Sequence, residues 1–120
     1  MSDQDTLTLF RPVGKAEMHL IENTGCREFP PRLPHQPIFY PALSRRHAKQ
    51  IARDWNTKDP RSGYKGYVTQ FRVRADFLER YLVQTVGGSE NQEYWIPAEY
   101  LTEFNNNIVG KIHVVEQFES

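Results

Sequence analysis

The chain has 120 residues, of which 38% are apolar, 25% charged and 12% aromatic, and its mean hydropathy is −0.68. That length suits one domain with a modest core, and no apolar run approaches the roughly 18 residues a membrane-spanning helix needs. Fifteen Lys and Arg balance fifteen Asp and Glu, which argues against bulk nucleic-acid binding, because that needs a net basic surface.

One cysteine, Cys26, leaves no internal disulfide framework and no multi-cysteine zinc site. The first residues, Met1-Ser2-Asp3-Gln4-Asp5, carry no basic and apolar leader pattern. A flexible lead over residues 1–5, no secretion signal and a cytoplasmic location are the expectations.

Charge is balanced in total but not along the chain. Residues 27–80 carry 12 basic and 5 acidic side chains, residues 81–120 carry 1 and 6, and residues 1–26 carry 2 and 4. Two readings follow. The basic middle pairs with the acidic end across the fold, or it presents a positive surface to an anionic ligand.

Residues 6–13 alternate and read as a strand, with Leu7, Leu9 and Arg11 on one face and Thr6, Thr8 and Phe10 on the other. Residues 15–23 read as a short helix with Leu20 and Ile21 buried. Five of the eight prolines fall in 27–43 (Pro30, Pro31, Pro34, Pro37, Pro41), so this stretch should be extended. Within it, residues 37–41 predict a short strand at an edge or beside a gap in the sheet. Ser44 is a good N-cap for a helix whose stripe is Ala48, Ile51, Ala52 and Trp55. Residues 56–66 read as a polar, mobile loop.

Residues 67–74 alternate strictly, with Tyr67, Thr69, Phe71 and Val73 on one face. Asp76 and Glu79 resemble a capping box that opens a short helix. Residues 82–86 and 92–96 predict two strands about a Gly87-Gly88-Ser89 turn. Pro97 suits the first position of a helix over 97–106 with Leu101, Phe104 and Ile108 inward. Gly110 resets the backbone before a last strand, 111–118, with Ile112 and Val114 facing in. Short helices between strands without βαβ spacing predict a single α+β domain over 1–120 with a small, mostly antiparallel, split sheet.

His19, His35, His47 and His113 are scattered, and no paired ligand spacing occurs, so no metal site is expected. Three residues stand out for chemistry. Arg11 sits on an apolar strand face and must find an anion, snorkel to water or border a cleft. Tyr40, between Phe39 and Pro41, offers a flat wall for a planar ring or packs in the core. Glu93 shares its strand face with Trp95, where a carboxylate needs a salt bridge or an open cleft.

In order, Leu9-Phe10-Arg11, Ile38-Phe39-Tyr40 before a helix with Ala48 and Trp55, Gly66-Tyr67-Val68-Thr69, and Gln92-Glu93-Tyr94-Trp95-Ile96-Pro97 resemble the compact ADP-ribosyltransferase fold. More narrowly, Phe29-Pro30-Pro31-Arg32-Leu33-Pro34, Gln36-Pro37-Ile38-Phe39-Tyr40-Pro41, Ala52-Arg53-Asp54-Trp55-Asn56 and Trp95-Ile96-Pro97-Ala98-Glu99 are similar to short bacterial proteins with an ADP-ribosylation-type label. The resemblance implies a split sheet that takes NAD as substrate, without a metal. It implies that Arg11, Tyr40, Thr69 and Trp95 contact the dinucleotide and that Glu93 is catalytic, stabilising the cationic ribose as nicotinamide leaves. It implies a dinucleotide or ADP-ribose-type ligand, with a protein acceptor if transfer occurs.

The pattern departs from the family at Pro41 after Tyr40, at Asn91 two residues before Glu93, and in having Thr69-Gln70-Phe71 in place of a Ser-Thr-Ser strand. Binding without transfer therefore stays open. So does a non-enzymatic interaction module that uses the basic 45–53 helix and the proline-rich 29–41 segment.

Overall fold

The computed structural model describes residues 5–120. The flexible lead expected at the N-terminus falls mainly on residues 1–4, outside the described residues. Asp5 is tied in, because its carbonyl accepts from the Ala75 N–H at 3.0 Å.

The central sheet is antiparallel, in the order β1 (Thr6–Val13), β3 (Lys65–Arg74), β7 (Ile108–Glu119). Two smaller antiparallel pairs flank it. β2 (Ile38–Phe39) pairs with β6 (Ile96–Pro97), and β4 (Val83–Thr85) pairs with β5 (Gln92–Tyr94). The helices are α1 (Lys15–Glu22), α2 (Arg45–Asp54), α3 (Ala75–Leu78) and α4 (Leu101–Asn106). The architecture is α+β with short helices and small antiparallel sheets.

Strand alternation decides where the core lies. Leu9 and Val13 of β1, with Phe71 and Val73 of β3, bury one sheet face against Met18 and Ile21 of α1, Phe77 of α3 and Phe104 of α4. Phe29 and Phe39 from the proline-rich stretch complete it. Phe29 meets Phe71 edge-on at 4.8 Å between ring centres, and Phe39 meets Phe104 at 5.1 Å. Such pairs add about 1 kcal/mol each beyond the area they bury. The proline-rich segment is thus a wall of the core as well as a connection.

The opposite face is covered by α2. Ala48 and Ala52 pack on Val68 and Ala42, and the small side chains let the helix lie close. A Cβ at Gly66 would overlap the Ala52 carbonyl. Ser44 caps α2 as the sequence predicts, its hydroxyl accepting from the His47 N–H at 3.1 Å.

Several expectations are corrected. Trp55 ends α2 rather than joining its inner stripe, and it is 72% exposed. In α1 the buried pair is Met18 and Ile21, while Leu20 faces out. Residues 56–66 are not a plain loop. Two 3-10 turns, Asn56–Lys58 and Pro60–Ser62, bury Thr57 and Ser62. Asp76 and Glu79 make no capping box, because the N-cap of α3 is Arg74, two residues earlier, with no side-chain cap. The strand expected over 92–96 breaks at Trp95, so Pro97 is extended and pairs with Ile38 before the helix begins. Val114 shares a face with its partner Thr69 but stays half-open. The eight-residue α1 leaves that end of β7 bordering a cleft.

Candidate functional site

The residue that organises the site is Ala42. Its N–H and carbonyl both bond to Phe10 of β1, at 2.6 and 2.9 Å, and on its other side it bridges Glu93 of β5. The neighbouring bonds, Tyr94 N–H to the Pro41 carbonyl and Leu43 N–H to the Gln92 carbonyl, are both 2.9 Å. One residue therefore stitches β1 to β5. On either side of it the chain leaves β1, and β2 within residues 37–41 pairs only with β6, an edge position as one of the two sequence readings has it.

Directly opposed residues in an antiparallel pair share a face, and consecutive residues alternate. Phe10, Ala42 and Glu93 accordingly point to the α2 side. Arg11 points to the other side, into the α1 layer.

Arg11 is 7% exposed. Its guanidinium holds Glu17 of α1 through two hydrogen bonds, Nε to Oε2 at 2.8 Å and Nη2 to Oε1 at 3.1 Å. It also stacks 4.6 Å from the centre of the Phe39 ring. The fork geometry of arginine matches a carboxylate in this way. Its anion is thus internal. Thr69, directly opposite Arg11, is fully buried and donates its hydroxyl to the Arg11 carbonyl at 2.8 Å. Neither residue is brought to Glu93.

Glu93 is held from two sides. The Trp95 indole N–H donates to Oε1 at 2.9 Å, and His47 Nε2 meets Oε2 at 3.1 Å. The His47 and Glu93 side chains are only 8% and 12% exposed. Trp95 and Tyr40, by contrast, are both partly open to solvent and meet edge-to-face, with 6.3 Å between ring centres. Tyr40, Trp95, Glu93 and His47 thus form one corner, in which the carboxylate is oriented by the Trp95 indole and the Tyr40 ring joins through Trp95.

The structure therefore brings together three of the five predicted site residues, Tyr40, Glu93 and Trp95. His47 escaped the sequence reading because it counts as one scattered histidine. The available signal was its place on α2, next to the inward Ala48. Glu17 was also missed, although an acidic residue in the first turn of the helix after Arg11 is well placed to answer it.

A cleft of about 730 Å³ lies elsewhere, between α1 and the sheet face that α1 covers, at Lys15, Met18, His19, Tyr67 and Val114. It contains none of the predicted site residues. Among the described residues no group of three or more His, Cys, Asp or Glu is placed to hold a metal. No described helix is long and apolar enough to cross a membrane.

Part of the uneven charge resolves into pairs between the middle and the end of the chain. Arg45 and Lys49 share Glu116 at 2.8 and 3.5 Å, Arg46 meets Glu90 at 3.0 Å, and Arg80 meets Glu103 at 2.6 Å. The exposed cations of α2 are engaged within the fold.

Against known proteins, no family model, no curated protein and no solved structure matches this chain.

Proposed function

We propose that the Tyr40–Trp95–Glu93 corner takes a nucleotide of NAD or ADP-ribose type. The observation that carries this reading is the Glu93 carboxylate, fixed between the Trp95 indole and the His47 imidazole beside two exposed rings. A planar base or nicotinamide ring can lie against an open aromatic face. Each Glu93 oxygen holds one donor and keeps a second lone pair, which can accept from a ribose hydroxyl.

If the ligand is NAD and is cleaved, Glu93 is the group that would do most. The bond between the ribose carbon and the nicotinamide nitrogen breaks, and its electron pair leaves on nicotinamide. Positive charge develops on the ribose, and water or an acceptor nucleophile then adds there and loses a proton. A carboxylate already oriented by two donors stabilises that charge with little reorganisation. His47 positions Glu93, and Trp95 both positions it and offers a surface to the ligand. Arg11 has no direct part in this reading, because Glu17 occupies its guanidinium.

The experiment is a thermal-shift titration with NAD and with ADP-ribose, run beside an assay of nicotinamide release. A ligand that binds only the folded state raises the midpoint. The reading expects a concentration-dependent rise that Glu93→Gln and Trp95→Ala both reduce. No rise with either nucleotide overturns it.

A further inference from the structure

Arg32 is the one charged residue of the Phe29–Pro34 motif, and it lies outside the proposed corner. Prolines at 30, 31 and 34 hold its backbone, so the side chain leaves from a stiff segment. Its guanidinium lies 6.0 Å from the centre of the Phe39 ring, the ring that Arg11 also stacks on at 4.6 Å. Two guanidinium groups therefore share one aromatic ring. One carboxylate, Glu17, serves them, and both of its oxygens are taken by Arg11.

Arg32 has a single hydrogen bond among the described residues, from Nε to the Ile38 carbonyl at 3.1 Å. That bond fixes the plane of the group and leaves the Nη donors unmatched by protein. Around the Phe39 ring two positive charges thus face one negative charge, Glu17, and Glu28 borders the cleft that Arg32 lines without a hydrogen bond to it. Burial holds the Arg32 guanidinium below its usual range, the neighbouring Arg11 charge adds to this, and Glu17 and then Tyr40 act the other way.

We infer that Arg32 is an anion anchor that takes a phosphate or pyrophosphate group through its free Nη fork. A fork of this kind binds two phosphate oxygens at once. A partly buried surplus cation gains more from such a partner than a solvated lysine would, because less of the attraction is screened. Tyr40 lies within the electrostatic reach of Arg32 and also touches Trp95. The further statement that this phosphate belongs to the same nucleotide rests on the proposed function. The anion site itself stands on the Arg11–Arg32–Glu17 imbalance alone.

The test uses three probes on the full chain, namely inorganic pyrophosphate, ADP-ribose and nicotinamide riboside, which has no phosphate. Calorimetric titration of wild type, Arg32→Gln and Arg32→Lys gives the affinities. Arg32→Gln keeps most of the stem and should weaken pyrophosphate by about tenfold or more, as expected for loss of a charge-assisted pair. Arg32→Lys should fall between the two, because it keeps the charge and loses the fork. Far-ultraviolet circular dichroism confirms that each variant is folded. Should Arg32→Gln not fold, the comparison of wild type with Arg32→Lys decides. Pyrophosphate that fails to bind wild type, or binds every folded variant equally, overturns the anchor. Pyrophosphate binding that needs Arg32, with no binding of nicotinamide riboside and no effect of Glu93→Gln on ADP-ribose, keeps the anchor and removes the nucleotide corner. An ADP-ribose loss that matches the pyrophosphate loss, with nicotinamide riboside unchanged, supports both.

Discussion

Arg11 of β1 and Glu93 of β5, two strands joined only through Ala42, point in opposite directions. The guanidinium enters the α1 layer and closes on Glu17, while the carboxylate enters the α2 layer and closes on His47. The cause is the alternation of side chains on either side of the Phe10–Ala42–Glu93 row. The two charged residues therefore have separable consequences, one for stability and one for ligand binding.

Glu17→Gln tests the first. It leaves the Arg11 guanidinium buried with a weaker, neutral partner. Because the Glu17 side chain is 22% exposed, the loss should be below the full cost of orphaning a buried ion, at about 2 kcal/mol. Urea unfolding measures it. Replacing both partners, as Arg11→Met with Glu17→Leu, should recover part of the loss, and a double variant no better than Glu17→Gln would contradict the pairing.

Gly66→Ala tests the close seat of α2 on β3. The added methyl meets the Ala52 backbone, which cannot swing aside as a side chain can. A loss of at least about 2 kcal/mol is expected, within the usual range for overpacking. A variant with wild-type stability would show that α2 sits farther out.

Glu116 predicts an acid-sensitive contribution. The side-chain hydrogen bond from Arg45, with added attraction from Lys49, holds its carboxyl below the usual range. The folded state binds this proton less readily than the unfolded state. The stabilisation is therefore present at neutral pH and is lost as pH falls through the depressed value. Melts of wild type and Glu116→Gln should differ at pH 7 and converge in acid, and added salt should narrow the neutral gap. A gap that widens on acidification would reverse the sign.

Trp95→Phe should separate binding from folding. Trp95 is 41% exposed, so stability should change by less than about 1 kcal/mol. The lost N–H should still weaken nucleotide binding several-fold, because Glu93 then has only His47 to orient it. Equal affinity in the two proteins would place the ligand elsewhere.

Much of the fold is legible in the residues for local reasons. β1 and β3 show clean alternation because each has one strongly apolar face, and Ser44 marks the start of α2 because a hydroxyl there meets a free N–H. Trp55 misled because its spacing fits the stripe, but α2 ends on it. The break at Trp95 was hidden because β5 and β6 pair with different partners, a tertiary choice that no local pattern records. Likewise Tyr40, Trp95 and Glu93 could be read as candidates one by one. That Arg11 faces away from them depends on Ala42 bridging two strands, which is invisible before the chain is folded.

The most direct test is nucleotide binding by wild type against Glu93→Gln, followed by calorimetric titration with ADP-ribose under one set of buffer and salt conditions. The corner predicts saturable binding to wild type that is weakened about tenfold or more when the carboxylate becomes an amide. Identical isotherms for the two proteins, or no heat of binding from either, would contradict it.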